Sequence, residues 1–419
     1  MSALGKWLNR LEQMQPDRME LGLSRIQRVA KSAGLDKPGF RVVTVGGTNG
    51  KGSTVAYIGE ILQSLKLSVG VYTSPHFIEF NERIVVDRDR VSATELCDAF
   101  ALIDSVRCDD ELTYFEFTTL AAIHCFSQRN VDVAVMEVGL GGRLDAVNAW
   151  DSEVACVTSV GVDHVDWLGD NREQIAFEKA SIARAGCALV CGDADPPDSI
   201  ASTATAIGAE LFQVDRDFEH RPLSTSHWEY TDADGPVVLP VPAIPGSWAT
   251  ANASVAICAT RRLLGHRAPL PILEAALRSV TVAGRMQTTV YQNISIILDV
   301  AHNADAACRL SEYLATEPVA GKTTAVFSCM QDKDIDAVVA EMLPRIDAWC
   351  VADLAIPRAV GSDELTAVLA NKGFDSPDVF ASVTTAFEKA VAQSTAQDRV
   401  VVFGSFHVVG PVLGFLSAI

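Results

Sequence analysis

The sequence predicts an α/β protein whose parallel sheets are covered by helices. Short apolar runs alternate with stretches of helical spacing along most of the chain, which is typical of strands buried on both faces of a parallel sheet. A glycine-rich loop joins the first run to a helix, and a second alternating series begins after Ala283-Gly284-Arg285. We therefore predict two domains, residues 1–283 and 284–419. The first carries a small antiparallel patch, and the smaller second one is Rossmann-like.

Composition limits the classes of function. A chain of 419 residues exceeds one ordinary hydrophobic core, and 48% hydrophobic with 21% charged residues indicates a well-packed protein. The net charge of −19 argues against nucleic acid or an anionic membrane as a partner, and no apolar run reaches the length of a membrane span. Ten cysteines without a C-x-x-C pair, and an N-terminus unlike a signal peptide, indicate reduced thiols in a cytoplasmic protein.

The first elements form the most informative pattern. Residues 41–45 are a short β-branched run that ends at glycine, which predicts a buried strand, and apolar residues from Val55 to Leu65 have helical spacing. Between them lies Gly47-Thr48-Asn49-Gly50-Lys51-Gly52-Ser53. Strand, glycine loop and helix with a lysine at the helix start is the layout of a phosphate-binding loop. Val45 and Gly52 depart from the strict motif, but the context favours a phosphate site over an ordinary glycine turn.

The remaining elements follow in order. Apolar runs at 69–72, 131–138 and 154–160 predict further buried strands, the segment 212–242 predicts an antiparallel patch, and 249–264 is helical. In the second series we predict strands at 294–300, 323–327, 348–351 and 399–403, with helices that include 304–314, 335–343 and 384–393.

Three residues near the predicted strand ends are candidates for a metal site. Ser74 either places a hydroxyl on Mg²⁺ or forms a simple Ser-Pro turn. Glu137 ends an apolar strand, where a buried carboxylate is costly unless it is paired or bound to metal, and we favour Mg²⁺ over an arginine partner. His164 has acidic neighbours that fit a metal or phosphate contact, although a lone histidine is more often structural.

For three other charged or polar residues, spacing alone gives less information about function. Spacing alone makes Lys179 a solvated helix charge beside Glu178. Asp299 and His302 leave a predicted strand together, where they fit a ribose, a phosphate or a substrate amine, and the spacing does not choose among these.

Seven segments taken together form a specific ordered set: 47–53, 72–76, 112–116, 137–146, 163–164, 299–303 and 404–407. The set resembles the bacterial bifunctional dihydrofolate synthase/folylpolyglutamate synthase family, relatives of the Mur ligases, over essentially the whole chain. The resemblance implies an ATP-dependent ligase that joins L-glutamate to dihydropteroate and to tetrahydrofolate. In that family ATP converts the acceptor carboxylate into an acyl phosphate, which the glutamate amine attacks. It also implies small-molecule partners only, and we expect a monomer.

The resemblance assigns roles residue by residue. It implies ATP contacts from Asn49, Gly50, Lys51, Gly52, Ser53, Asn252, Arg285 and Asp299. It implies two Mg²⁺ ions, the first held by Ser53, Ser74 and Glu137 and the second by His164. It makes Lys179 a carbamylated lysine, against the solvated interpretation, and ties His302 and Ser405 to the glutamate end. With Lys51, these three form the implied catalytic set. The implied pterin-binding residues are Met19, Glu20, Leu21, Thr113, Tyr114, Phe115, Glu116, Leu144, Asp145 and Ala146.

Departures and alternatives stay open at this point. Ala304 follows Asn303 where the family usually has proline, and residues 117–118 differ slightly from the family pattern. One alternative is a folylpolyglutamate synthase with a single activity. Another is a Mur-type ligase for a nucleotide-linked sugar, which the early position of the phosphate loop disfavours. A third is a nucleotide switch, since Asp166 to Gly169 has the D-x-x-G form, but no N-K-x-D motif accompanies it.

Overall fold

The computed structural model describes residues 2–14 and 21–418, so Met19 and Glu20 lie outside the described residues. The chain divides into two compact units. The first contains the described residues up to Ser74, together with Asn81–Ala243 and Ala249–Val280. The second contains Pro75–Phe80, Ile244–Trp248 and the described residues from Thr281 onward. Two short segments from the first half of the chain and its centre thus join the C-terminal unit.

The first unit contains eleven strands and ten helices among its described residues. The strands are β1 (Arg41–Gly46), β2 (Val69–Tyr72), β3 (Ile84–Val86), β4 (Asp89–Arg90), β5 (Val133–Glu137), β6 (Val154–Val157), β7 (Ala188–Cys191), β8 (Glu210–Gln213), β9 (Glu219–Pro222), β10 (His227–Asp232) and β11 (Gly235–Pro240). The helices are α1 (Ala3–Gln13), α2 (Ser24–Ser32), α3 (Lys51–Ser64), α4 (Ala93–Val106), α5 (Tyr114–Gln128), α6 (Val165–Leu168), α7 (Arg172–Ala180), α8 (Asp198–Ile207), α9 (Ser247–Leu264, which begins in the second unit) and α10 (Leu270–Ser279).

An eight-stranded sheet forms the centre of the first unit, in the order β4-β3-β2-β5-β1-β6-β7-β8. Six strands run parallel, and β3 and β4 are antiparallel. Because Val45 of β1 pairs with Glu137 of β5 and with Cys156 of β6, the carboxyl ends of these three strands meet at one edge. Ligand-binding residues of parallel sheets gather at that edge. The separate sheet β11-β10-β9 is antiparallel and matches the patch predicted at 212–242.

The second unit contains a six-stranded sheet in the order β12-β13-β17-β14-β15-β16, in which only β12 is antiparallel. Its strands are β12 (Gln287–Tyr291), β13 (Ile294–Asp299), β14 (Thr323–Phe327), β15 (Ala348–Ala352), β16 (Asp378–Phe380) and β17 (Arg399–Phe403). Its helices are α11 (Ala304–Thr316), α12 (Ile335–Met342), α13 (Ser362–Asn371), α14 (Val383–Ala392) and α15 (Phe406–Ser417). One apolar cluster includes Phe327 and Trp349, and a second includes Phe387 and Val412. The predicted α/β class, with a mainly parallel sheet in each unit and a small antiparallel sheet in the first, is confirmed.

Two expectations from composition concern membrane-spanning helices and the cysteines. Within residues 2–14 and 21–418, no helix combines the length and apolar character that crossing a membrane requires. All ten cysteines fall in the described part of the chain, and each is a free thiol.

Candidate active site

The loop after β1 has the geometry of a phosphate-binding loop. It leaves the sheet at Gly46, and α3 begins at Lys51 directly after Gly50. Gly47 and Gly50 have φ angles of +143° and +90°, which side chains other than glycine rarely adopt. A Cβ at Gly47 would overlap Thr158 Oγ1, and one at Gly50 would overlap Asn252 Oδ1. These glycines therefore let the loop curl closely against two neighbouring polar side chains.

The segment that leaves β6 fixes this loop from one side. Thr48 N donates to Ser159 O at 2.8 Å, and Gly161 N donates to Thr48 Oγ1 at 2.9 Å. Asn49 N donates to Ser159 Oγ at 3.0 Å, and its carbonyl accepts from Thr158 Oγ1 at 2.6 Å. Thr158 and Ser159 are not among the predicted site residues, since a threonine and a serine at a strand end carry no signal until their neighbour in the sheet is known.

Lys51 reaches back over the loop from the first turn of α3. Its Nζ donates to Gly47 O at 2.9 Å and to Thr48 O at 3.2 Å. The lysine charge, the helix N-terminus and the backbone N–H groups of the loop therefore lie together, and this combination attracts phosphate.

Glu137 places a carboxylate beside the loop. It ends β5 with 4% of its surface exposed, and its Oε2 accepts from Ser74 N at 3.1 Å. A Cβ built on Gly52 would lie 3.8 Å from both carboxylate oxygens. The buried Ser53 follows Gly52 directly. A carboxylate with serine residues close to it is a donor set that suits Mg²⁺.

Among the described residues, carboxylate, imidazole and thiol side chains do not complete a metal site by themselves. Throughout the ranges that the structure describes, there is no group of three or more His, Cys, Asp or Glu residues that would hold a metal ion. An ion beside Glu137 would therefore need oxygen atoms from hydroxyl groups, from a nucleotide or from water.

Lys179 is buried in α7, with 4% of its surface exposed, so the interpretation as a solvated helix charge is wrong. Burial, together with the positive charge of Lys51, lowers the pKa of the Lys179 ammonium from 10.5 to about 7. The negative charges of Asp163, Asp145 and Glu178 act in the opposite direction. Lys179 therefore lies in the electrostatic field of the phosphate-binding loop.

His164 follows the β6 segment and precedes α6. It adopts a left-handed backbone conformation with φ of +53°, and its N–H donates to Asp163 Oδ1 at 2.8 Å. A histidine tolerates this region at a cost of order 1 kcal/mol, so the surrounding structure must hold it there.

The predicted pterin-binding residues lie partly at the start of α5. Thr113 caps this helix, since its hydroxyl accepts from Glu116 N while Glu116 Oε2 accepts from Thr113 N at 2.7 Å. Arg25 Nε also donates to Glu116 Oε2 at 3.0 Å and to Oε1 at 3.2 Å, so both oxygens of this carboxylate have protein partners. The Phe115 ring packs over Gly139, close to the loop that follows Glu137. Tyr114 stands beneath the Arg83 guanidinium.

The remaining pterin candidates lie in or near the glycine run after β5. Asp145 is buried and accepts from Leu140 N and Val147 N, both at 2.9 Å. Burial raises the pKa of its carboxyl group to about 6, although backbone N–H donors and Lys51 lower it. Leu144 is half-buried and Ala146 is buried, as the first residue of a 3₁₀ turn. Leu21 is half-buried at the start of the second described range.

The second unit brings together Arg285, Asp299 and His302. Asp299 is buried and accepts from Met286 N at 2.7 Å and Ala301 N at 2.8 Å. Burial raises the pKa of Asp299, and the charges of Arg285 and His302 lower it. His302 Nδ1 donates to Val300 O at 2.8 Å, which leaves Nε2 as the nitrogen that faces away from the backbone.

Two predicted site residues hold buried polar atoms that the described chain does not satisfy. Ser405 Oγ in the second unit and Asn252 Nδ2 in the first have no hydrogen-bond partner among the described residues. Ser405 follows Gly404 at the end of β17, and Asn252 packs on Gly50. Buried unpaired polar atoms are costly, and a ligand that supplies a partner removes that cost.

Comparison with known proteins agrees with this geometry. The family model for the Mur ligase middle domain matches residues 45–259, and that for the Mur ligase, glutamate ligase domain matches residues 284–406. The dihydrofolate synthase/folylpolyglutamate synthase of Escherichia coli is 39% identical over 424 residues, covering 100% of this chain and 96% of the relative. The chain belongs to the dihydrofolate synthase/folylpolyglutamate synthase family. Its predicted class, an ATP-dependent carbon–nitrogen ligase, is confirmed.

Solved structures of the family match over the full length. Escherichia coli FolC in complex with DHPP and ADP has a TM-score of 0.94 at 37% identity, covering 100% of this chain and 98% of that one. The Yersinia pestis enzyme complexed with AMPPNP and Mn ion has a TM-score of 0.92 at 39% identity, also covering 100% and 98%. The family fold thus extends over the whole of this chain.

Replacing Gly50 by alanine is expected to weaken ADP binding by about tenfold to hundredfold. The added Cβ at this positive φ would overlap Asn252 Oδ1, and relief of the resulting strain, roughly 1–3 kcal/mol, displaces either the loop or Asn252. Isothermal titration with ADP measures this effect. The matched control is Gly34→Ala, where φ is also positive at +69° but the space is open. That control is expected to lose about 1 kcal/mol of stability and to keep its ADP affinity. Normal ADP binding by a folded Gly50→Ala variant would contradict the close packing described above.

Proposed function

We propose that this protein adds L-glutamate to 7,8-dihydropteroate, giving dihydrofolate, and to tetrahydrofolate, where it extends a polyglutamate chain. ATP first phosphorylates the acceptor carboxylate, and the glutamate amine then displaces phosphate from the acyl phosphate. The products are the amide, ADP and inorganic phosphate. Activation is needed because a carboxylate is a poor electrophile, whereas the acyl phosphate carries a good leaving group.

The observation that carries this proposal is the convergence of three charged residues at one edge of the first sheet. Lys51 lies over the phosphate-binding loop, Glu137 lies beside Gly52 of that loop, and the buried Lys179 interacts electrostatically with Lys51. A lysine and a carboxylate around a helix N-terminus suit a nucleotide with its metal.

The residues of the first unit act by positioning and by stabilising charge. Backbone N–H groups from Gly50 to Ser53 cradle the phosphates with Asn49 beside them, and Lys51 offsets the charge that develops on the transferred phosphoryl group. Glu137, Ser53 and Ser74 would hold one Mg²⁺, and His164 would hold a second. The metal would neutralise phosphate charge when bound. Asn252 would supply its unpaired Nδ2 donor to the nucleotide.

Lys179 is proposed to carry a carbamate. A pKa of about 7 leaves much of this lysine neutral near physiological pH, and the neutral amine is the form that combines with CO₂. The neutral amine forms an N–C bond to CO₂ and releases one proton. Because the ammonium has already lost one proton to become neutral, the change from cation to anion releases two protons in all. Repulsion between Lys179 and Lys51 then becomes attraction, and the group would support Mg²⁺ rather than repel it.

The acceptor and the second unit complete the assignment. We propose that residues 1–283 bind ATP and the pterin, and that residues 284–419 act on glutamate, with Arg285 and Asp299 contributing to ATP binding. Ser405 has a buried unpaired hydroxyl and His302 directs Nε2 away from the backbone, which supports their role at the glutamate end. The pterin-binding residues remain Leu21, Thr113, Tyr114, Phe115, Glu116, Leu144, Asp145 and Ala146, with Met19 and Glu20 outside the described residues.

We further propose that the protein is a cytoplasmic monomer with small-molecule partners only. The ten free cysteines support a reducing compartment. The net charge of −19 disfavours nucleic acid and anionic membranes as partners.

The proposed reaction predicts ADP release that requires both an acceptor and glutamate. The assay combines ATP, Mg²⁺ and L-glutamate with either dihydropteroate or tetrahydrofolate, and a coupled reaction follows ADP. We expect turnover with each acceptor and none when glutamate is left out.

Other outcomes identify the alternatives. Turnover with tetrahydrofolate alone would make the protein a polyglutamate synthase and overturn the interpretation of Thr113 to Glu116. Dependence on a nucleotide-linked sugar would indicate a Mur-type activity, and slow ATP hydrolysis without any acceptor would indicate a nucleotide switch.

A further inference from the structure

The segment from Thr158 to His164 is held on two opposite sides. On one side, Ser159 and Gly161 bond to Thr48 and Asn49 of the phosphate-binding loop. On the other side, the peptide groups of Val160 face away from that loop. Successive residues of the segment therefore bond to opposite sides, as they would if β6 continued between two neighbouring strands.

Two charged side chains form hydrogen bonds with the backbone N–H and C=O groups of Val160. Its N–H donates to Asp193 Oδ2 at 2.6 Å, and its carbonyl accepts from Arg172 Nε at 2.9 Å. Arg172 Nη2 also donates to Asp193 Oδ1 at 3.2 Å, so the two side chains bond to each other. Asp193 has only 10% of its side chain exposed. Charge-assisted hydrogen bonds in such a partly buried place are among the stronger ones in proteins.

The same pair connects three parts of the proposed site. Asp193 follows β7, Arg172 is the first residue of α7, and Lys179 lies two turns further along that helix. His164 stands four residues after Val160, in its left-handed conformation. The phosphate-binding loop contacts the opposite edge of the same segment.

We propose that Arg172 and Asp193 are positioning residues for the nucleotide end of the reaction. They hold residues 159–164 against the phosphate-binding loop, and they set α7, with Lys179, relative to both. Neither side chain needs to touch the nucleotide. The inference rests on the proposed function only in that the loop binds the phosphates of ATP.

Asp193→Asn tests this inference, because the amide keeps the size of the side chain and removes its charge. We expect Mg·ADP affinity, measured by isothermal titration, to fall about tenfold. Amide hydrogen exchange over residues 158–164 should become faster by a similar factor, while exchange in β14 and β17 of the second unit stays unchanged. Arg172→Ala should have a comparable effect, and Arg172→Lys should restore part of it.

The chain supplies a matched control. Asp195 also bonds to Arg172, at 2.9 Å, but its side chain is 95% exposed, where an ion pair contributes little. Asp195→Asn should bind Mg·ADP within twofold of the wild type. If Asp193→Asn and Arg172→Ala fold, bind Mg·ADP within twofold and exchange normally over 158–164, the inference is wrong. A wild-type protein that binds no Mg·ADP would instead overturn the proposed function.

Discussion

Replacing Lys51 by alanine is expected to reduce the rate of ligation on the order of 10³-fold, because a preorganised charge at the transferred phosphoryl group is lost. The fold should persist. The substitution removes two partly buried hydrogen bonds to Gly47 and Thr48 carbonyls, a loss of about 1–2 kcal/mol. It also removes the positive charge that repels Lys179. Steady-state ADP release and thermal unfolding, measured on the same preparation, separate the loss of catalysis from any loss of fold.

Lys31→Ala is the control for this experiment. Lys31 is exposed in the last turn of α2, so its removal should change neither turnover nor stability appreciably. Turnover of Lys51→Ala close to that of Lys31→Ala would exclude the phosphate-binding role of Lys51.

Replacing Lys179 by alanine is expected to reduce ligation about 10²-fold to 10³-fold, since the proposed carbamate and its negative charge are lost. Added short carboxylates such as formate should restore part of the activity, because the cavity left by the side chain admits a small anion. The same additives should not rescue Lys51→Ala. Intact-protein mass spectrometry under native conditions should detect one added CO₂ on the wild type and none on the variant. A fully active wild type with an unmodified Lys179 would defeat the carbamate proposal.

The carbamate also predicts a pH dependence. With a pKa of about 7, roughly one-tenth of the unmodified Lys179 is neutral at pH 6 and roughly nine-tenths at pH 8. Enzyme depleted of CO₂ should therefore regain activity faster at pH 8 than at pH 6 when both samples receive the same concentration of dissolved CO₂, in a stopped time course assayed at one common pH. Equal recovery rates at the two pH values would indicate that this amine is not the group that reacts.

The pH dependence of the free energy of unfolding provides an independent test of the lowered pKa of Lys179. The folded-state pKa of unmodified Lys179 lies below its ordinary value of 10.5, so between about pH 7 and 10.5 the unfolded chain binds one more proton than the folded chain. The free energy of unfolding then rises with pH across that window. In the carbamylated protein the folded lysine binds no proton, and unfolding releases CO₂ and protonates the amine. At constant dissolved CO₂, its free energy of unfolding should therefore also rise with pH below pH 7, where Lys179 contributes no such slope in a CO₂-depleted sample.

Much of the fold follows from the sequence because buried parallel strands are short, apolar and bounded by glycine or polar residues. The predictions at 69–72, 323–327 and 399–403 coincide with β2, β14 and β17. The run at 154–160 was predicted too long, since β6 ends at Val157. Beyond that point the backbone of residues 159–161 bonds to Thr48 of the phosphate-binding loop and to the Asp193 side chain instead of a neighbouring strand. Hydrophobicity alone does not distinguish these two kinds of partner.

The site was harder to predict wherever burial depends on tertiary packing. Glu137 was recognisable because a carboxylate interrupts an apolar strand. Lys179 was not, because its helix has charged residues on more than one face, and only packing shows that Glu178 pairs with Arg143 while Lys179 turns inward. Family resemblance, rather than spacing, corrected that interpretation. Arg172 and Asp193 gave no sequence signal, since they lie in separate elements and come together only in the folded chain, where they bond to each other and to the backbone of Val160.

The contact between Gly47 and Thr158 limits how this chain can change during evolution. A methyl group at position 47 would overlap the Thr158 hydroxyl, so position 158 would have to become smaller first. A smaller residue there would give up the hydroxyl that donates to Asn49 O and Gly46 O. Each substitution is therefore harmful, and a smaller residue at 158 does not rescue a side chain at 47, because the φ of +143° at that position is strained for residues other than glycine. We expect positions 47 and 158 to change little during evolution, and new specificities to arise from substitutions at other residues.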